Sequence, residues 1–263
     1  PIQGLFDILS TFPGYRELDL SAFFMLAMPL FAAMLIGDAG YGLLIVLASL
    51  LGHRKLVAIA GKPKTQLVLL FGLATLVWGV LTANVFGVTP TELGVGPDGT
   101  GGSALGRAMA TAGVLWRADP EAGRYLIIKV SFFIACAHLV VGHLRQAVAY
   151  APHAKTLAEL GWSAVLLGML GVVWMLFELG VPAYFHLPGP LRTASMALVG
   201  GGFVLAVAFA YPDKPLAARL GVGLAGSLLP LLSAFSDTMS YIRLMAVGLA
   251  SYYIASAFNQ LGA

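Results

Sequence analysis

Residues 236–251 read Ser236-Asp237-Thr238-Met239-Ser240-Tyr241-Ile242-Arg243-Leu244-Met245-Ala246-Val247-Gly248-Leu249-Ala250-Ser251. Arg243 sits near the centre of this apolar stretch, and no charged residue follows it. The run extends from about Ala217 to about Phe258. A perpendicular bilayer crossing needs about 20 residues, so a helix this long must tilt strongly, break at Pro230 or lie partly in the membrane interface. A charged side chain at mid-bilayer costs about 3 kcal/mol on insertion scales. Arg243 therefore calls for either an acidic packing partner or an ion pathway.

The remainder of the chain has the same character. Of 263 residues, 59% are hydrophobic and only 10% charged, and the mean hydropathy is +0.88. Soluble domains carry about 25% charged residues. The composition predicts an all-α, polytopic membrane protein. The net charge of +3 is small and dispersed, which excludes a nucleic-acid partner. One cysteine, Cys136, excludes an internal disulfide framework and forms no metal site alone. Residues 1–20 lack the basic, apolar and small-residue zones of a signal peptide. The chain reads as a piece of a longer protein, with residues 1–19 a connector and 20–263 the transmembrane domain.

Hydropathy predicts seven spans. The first two fill Leu20 to Leu51 and are divided by Gly37-Asp38-Ala39-Gly40. A tight hairpin is the favoured reading there, one long kinked helix the competitor. The others cover about Thr65–Phe86, Arg124–Ala149, Thr156–Leu179, Thr193–Tyr211 and Ala217–Phe258. With the hairpin in place, Arg16, Arg54, Lys55, Lys62, Lys64, Arg145, Lys155, Lys214 and Arg219 share one side, against Arg107, Arg117, Arg124 and Arg192 on the other. The positive-inside rule puts the first side, and the N-terminus, in the cytoplasm. The longest connection, Gly87 to Gly123, lies outside; loops of this length are usually functional or disordered.

Several side chains are candidates for chemistry. Ser233, Ser236, Ser240, Arg243, Val247 and Ser251 recur at three- and four-residue steps and so share one helix face. It is a small, polar face with one cation, shaped for close approach of another helix. Arginine suits an ion path because its guanidinium stays charged with a pKa above about 12. Asp38 is either a solvated turn residue or the wall of an outer vestibule. Asp237, six residues before Arg243, lies on a different face and is either a cap or a channel group. Lys129 reads as snorkelling to the outer interface. His138, His143, Arg145 and His153 cluster near the cytoplasmic end of the fourth span, with Glu159 opening and Glu178 closing the fifth. Gly37-Asp38-Ala39-Gly40-Tyr41-Gly42 is no nucleotide loop, because no strand precedes it. Walker A and HExxH patterns are absent, so no ATP site, cofactor or metal is expected.

Two stretches resemble one family. Pro29-Leu30-Phe31 followed by Met34-Leu35-Ile36-Gly37-Asp38-Ala39-Gly40-Tyr41-Gly42 is similar to the first membrane hairpin of subunit a of the rotary V-type and A-type ATPases, called subunit I in bacteria and archaea. Ser240-Tyr241-Ile242-Arg243-Leu244-Met245-Ala246 resembles that family's signature around a membrane arginine. The resemblance covers essentially the whole chain. It implies a stator subunit in the plasma (inner) membrane, facing a proteolipid c-ring of carboxylate-bearing helices. A missing N-terminal cytoplasmic domain would reach peripheral-stalk and central-rotor subunits. Two proton half-channels are implied, separated by Arg243. Asp38, Glu92, Arg117, Asp119, His143, Arg145, His153, Glu159, Glu178, Asp237, Ser240 and Tyr241 are the candidates to line them. Ser233, Ser236, Val247 and Ser251 would face the ring. The family's eighth helix, with a second arginine, would follow Ala263, and Asp237 stands where eukaryotic members have histidine. The competing classes are a secondary transporter with Arg243 binding an anionic substrate, and a purely structural stator anchor.

Overall fold

The computed structural model describes Gly4, Phe6, residues 21–176, Glu178 and residues 186–262. Most of the expected connector, including Arg16, and the expected end of the fifth span at Leu179 lie outside the described residues. The described helices are α1 (Ser21–Ile36), α2 (Ala39–Leu51), α3 (His53–Ala60), α4 (Lys62–Leu81), α5 (Ala104–Ala112), α6 (Pro120–Tyr150), α7 (Lys155–Leu176), α8 (Gly189–Phe209) and α9 (Leu216–Gly262). Only two isolated β-bridges occur among these residues. The all-α expectation holds.

Local chemistry sets the helix boundaries. Gly37 adopts φ +65° and stops α1, because that region is open to glycine at little cost. Asp38 then turns extended and caps α2, its carboxylate accepting from the N–H groups of Gly40 and Tyr41. Gly52 ends α2, and α3 leaves at 82° to it. Gly61, at φ +84°, ends α3, and Pro63 sits in the first turn of α4, where its missing N–H costs nothing. Ser103 caps α5. Asp119 accepts from Glu121 N–H at the start of α6, just ahead of Pro120.

The seven-span expectation is not reproduced. Five helices are long and apolar enough to cross a membrane: α4, α6, α7, α8 and α9. The number rises to six if the bent pair α2 and α3 counts as one span. The difference lies in the first hairpin. Here α1 has 16 described residues and α2 has 13, about 24 and 20 Å at 1.5 Å per residue, against a core of about 30 Å. The expected break between them is present, at Gly37–Asp38. Pro230 does not break the last helix: α9 runs unbroken for 47 residues, about 70 Å at the same rise. The long Gly87–Gly123 connection is ordered, folding around α5 and a chain of tight turns.

The chain forms two compact units, Pro1–Ile127 with Leu244–Ala263, and Ile128–Arg243. In the first, α1 and α2 pack on α4 rather than on each other. Helices α2 and α4 run antiparallel at close range: Gly79 lies against Ala39, Gly42 against Thr75 and Leu76, and Gly72 against Ile45 and Val46. In the second unit α7 and α8 form the tightest pair. Gly161 meets the carbonyl of Gly202, where a Cβ would come within 2.7 Å of the oxygen, and Gly168 meets that of Ser195 at 2.6 Å. Lipid tails are as apolar as leucine, so such helices associate through packing that small residues permit.

One comparison tests this packing. A Cβ on Gly79 would fall on the backbone nitrogen of Ala39, whereas one on Gly201 meets open space. Gly79→Ala should lose about 1–3 kcal/mol, the usual penalty of overpacking, seen as a lower thermal midpoint in detergent. Gly201→Ala should not lower it; equal midpoints for the two variants would refute the α2–α4 register.

Candidate functional site

Asp38 is 2% exposed. Its Oδ1 accepts from the N–H groups of Gly40 (2.7 Å), Tyr41 (3.2 Å) and Phe86 (2.9 Å), and its Oδ2 from that of Gly87 (2.9 Å). Phe86 and Gly87 are the central residues of a turn closed by paired hydrogen bonds between Val85 and Val88. Their φ values of +52° and +75° are those of a type I′ turn. Positive φ is unusual for a phenylalanine. Here it aims two successive N–H groups at one carboxylate. The Phe86 ring packs edge-on to Tyr41 at 5.4 Å, over Gly40, where any Cβ would strike it. Asn84 completes the clamp: its side-chain amide donates to Gly37 O, and its own carbonyl accepts from Ala39 N–H. Asp38 is thus buried, not a solvated turn residue, and both carboxylate oxygens are engaged by backbone donors.

Next to this clamp the first unit has a partly open cavity of about 370 Å³. Gly37 and Asn84 lie at one part of its wall, Glu92, Arg117 and Arg124 supply charge, and Trp78, Trp116 and Tyr252 supply aromatic surface. Glu92 is held by Thr89 N–H (2.8 Å) and by the Ser256 hydroxyl (2.9 Å), which ties the Gly87–Gly123 connection to the last turns of α9. Arg117 donates to the carbonyls of Val114 (3.0 Å) and Trp116 (2.6 Å). Of the expected outer residues, the structure therefore joins Glu92 and Arg117 at one cavity. Asp119 is the cap of α6 and is not among the cavity's lining residues.

In the second unit Arg243 is exposed, and its Nη2 donates to Ser240 Oγ at 2.8 Å, which in turn donates to Ser236 O. Among the described residues it makes no ion pair. Ser233, Ser236 and Asp237 are also exposed, while Ser240 is half-buried. Further along α9, in the first unit, Val247 is exposed and Ser251 half-buried, its hydroxyl bonded to Val247 O. The half-buried Tyr241 shares a short hydrogen bond with His138 Nδ1.

The remaining candidates form separate pairs. His143 Nδ1 lies 2.7 Å from Glu159 Oε2, and the imidazole stacks on Trp162. His153 Nδ1 accepts from Lys155 N–H, leaving Nε2 3.9 Å from Asp213. Glu178 is paired with Arg192 and accepts from Leu187 N–H. Arg145 is half-buried one turn short of the end of α6. Lys129 sits 4.2 Å over the Trp174 ring, a cation–π contact. Sequence reasoning passed over Asn84, Phe86, Gly87, Trp162, Asp213 and Ser256. Only the Phe86-Gly87 pair offered a signal, as a possible turn. No group of three or more acidic, His or Cys side chains able to hold a metal occurs among the described residues.

Long apolar helices, glycine-mediated contacts and an arginine without an ion pair among the described residues, on the longest described helix, define a polytopic α-helical membrane protein. No family model matches the chain. It is 33% identical to V-type ATP synthase subunit I 1 of Treponema pallidum (strain Nichols), over 99% of this chain and 40% of that protein. It is 29% identical to V-type ATP synthase subunit I of Borreliella burgdorferi, over 98% and 41%. With A-type ATP synthase subunit I of Archaeoglobus fulgidus the figures are 27%, 98% and 42%. The chain belongs to the subunit I family of V-type and A-type ATP synthases, and spans 40–42% of the length of these relatives.

The clamp makes its own forecast. Asn at position 38 keeps one acceptor but turns an amide donor toward Gly87 N–H. Asp38→Asn should lose about 2 kcal/mol or more, the scale of a charged buried hydrogen bond, lowering the thermal midpoint. Asp38→Glu should not rescue it, since a further methylene moves the carboxylate away from its four donors. A wild-type midpoint for Asp38→Asn would show that the ionised carboxylate is not what holds the turn.

Proposed function

We propose that this chain is the ion-conducting membrane part of a rotary ATP synthase or ATPase stator, working against a proteolipid ring whose helices carry carboxylates. The observation that carries the reading is Arg243: exposed, without an ion pair among the described residues, on the least covered helix. Only 11% of the most apolar stretch of α9 is buried, against 22–50% for the other long helices. An uncovered face of small residues and one fixed cation suits a partner that slides past. At an effective dielectric near 20, opposite charges 4 Å apart attract by about 4 kcal/mol. That holds a passing carboxylate ionised and still lets it go.

Protons reach the ring carboxylate through one half-channel and leave through another, and Arg243 blocks a direct leak between them. The cavity carrying Glu92 and Arg117 supports an outer vestibule. The His143–Glu159 pair, with Arg145 and His153, supports an inner one, and the Tyr241–His138 hydrogen bond adds a proton-competent contact two residues from Arg243. Asp38 is left out of the path and given the structural task of shaping the vestibule. Ser233, Ser236, Val247 and Ser251 form the ring-facing strip. Each proton crossing 100 mV releases about 2.3 kcal/mol, and several per turn couple to ATP chemistry in the soluble head. The chain would sit in the plasma membrane with its N-terminal side cytoplasmic, joined there to peripheral-stalk and rotor subunits through a further domain of the full-length protein.

The reading is tested in the complete complex in sealed vesicles. Arg243→Ala should abolish ATP-driven proton uptake, and Arg243→Lys should restore it only in part, because lysine can lose its proton when desolvated. Coupled pumping that survives Arg243→Ala would sink the half-channel model. Anion-stimulated uptake by the subunit without a ring would favour a secondary transporter instead.

A further inference from the structure

We propose that α3 lies in the plane of the bilayer interface and that Arg54, Lys55, Lys62 and Lys64 form a binding site for the phosphate groups of anionic phospholipids. The inference stands apart from the role proposed for Arg243. It begins with geometry. Helix α2 runs antiparallel to α4, with Ala39 at Gly79 and Ile45–Val46 at Gly72. Continuing that register brings Leu51 beside Leu67, one turn into α4. There the chain turns by 82° into α3. Lys62 and Lys64 in the first turn of α4 are therefore at the same end as His53, Arg54 and Lys55, which open α3.

The chemistry of this end is divided. Arg54, Lys55 and Lys62 are exposed and Lys64 is half-buried. No Asp or Glu occurs between Asp38 and Glu92 in the sequence, and among the described residues none of these four bases makes an ion pair. Beside them, Leu51 is 86% and Ile59 85% exposed. Water would disfavour two bare aliphatic side chains, and the bilayer interior would disfavour the bases. The interface accommodates both, with the aliphatic groups among acyl chains and the cations at headgroup phosphates, the arrangement of a basic interfacial helix. Helix α3 has no buried residue; Leu56 and Val57 are half-buried, while Arg54, Lys55 and Ile59 stay exposed. A stretch of bases without acids selects anionic headgroups over zwitterionic ones.

The test uses the complete complex in vesicles of phosphatidylcholine and phosphatidylglycerol. Ile59→Cys, in a Cys136→Ser background, carries a bimane label. Brominated phosphatidylglycerol should quench it roughly twofold more than brominated phosphatidylcholine at equal mole fraction. The preference should vanish in R54Q/K55Q/K62Q/K64Q and persist in the control K155Q/K214Q. Quenching by neither lipid would show that α3 is not in the interface and is covered by water or protein. Equal quenching by both in the otherwise unaltered protein, or a preference that survives the quadruple change, would refute the anionic site.

Discussion

A buried carboxylate that accepts four backbone N–H groups fixes the architecture of the first unit. An ionised group removed from water is costly unless fully hydrogen-bonded, so the Asp38 oxygens dictate where four donors must be. Two come from the first turn of α2, which sets the start of that helix and its break from α1. Two come from Phe86 and Gly87, which folds the exit of α4 back on the entry of α2. Once those ends are joined, the glycines at 42, 72 and 79 fall into register between the two helices. The same clamp places Gly37 and Asn84 in the wall of the cavity. One side chain thus couples a helix break, a turn of unusual handedness, a helix pair and a solvent-sized space.

The rest follows from having lipid as the solvent. Helices here gain little by hiding leucine from acyl chains, so contact is made where backbones can come close. Helices α7 and α8 do this through Gly161, Gly168, Gly171 and Gly202. Helix α9 does it at few positions, among them Gly248 against Met34 O and Gly223 against Val207 O. Its other small residues, Ser233 and Ser236 among them, stay uncovered. They lie on the same exposed stretch of α9 as Arg243.

The sequence made the membrane helices legible because hydropathy over about 20 residues is a local property. The break at Gly37–Asp38 was legible for the same reason: glycine and a capping acid signal it within four residues. What was not legible is who satisfies Asp38, since Phe86 and Gly87 lie 48 and 49 positions away. The pairing of His138 with Tyr241, 103 positions apart, was equally hidden. The span count exceeded the helices that qualify because hydropathy cannot see that the break at Gly37–Asp38 leaves two helices of 16 and 13 described residues, each shorter than the hydrocarbon core. Residues 53–60, read as part of a basic loop, are helical. Leu56 and Val57, half-buried in α3, lie on the opposite side of the helix from Arg54 and Lys55.

Charge accounting gives the unpaired arginine its weight. Among the described residues, Asp38 is saturated by backbone, Glu92 by Thr89 and Ser256, Asp98 by Thr100, and Asp119 by Glu121 N–H. Glu121 faces Arg124, Glu159 faces His143, Glu178 faces Arg192, and Asp213 faces His153. Only Asp237 has no such bond or ion pair, and it stands six residues from Arg243 on the same helix, about 9 Å along the axis and about 240° around it. Every other acid in this set is engaged elsewhere, and Asp237 lies on a different face of the helix from Arg243. A guanidinium that spends a single hydrogen bond on a neighbouring serine keeps most of its donors free. A fixed internal partner would use them up; the transient ring carboxylate proposed above would find them free.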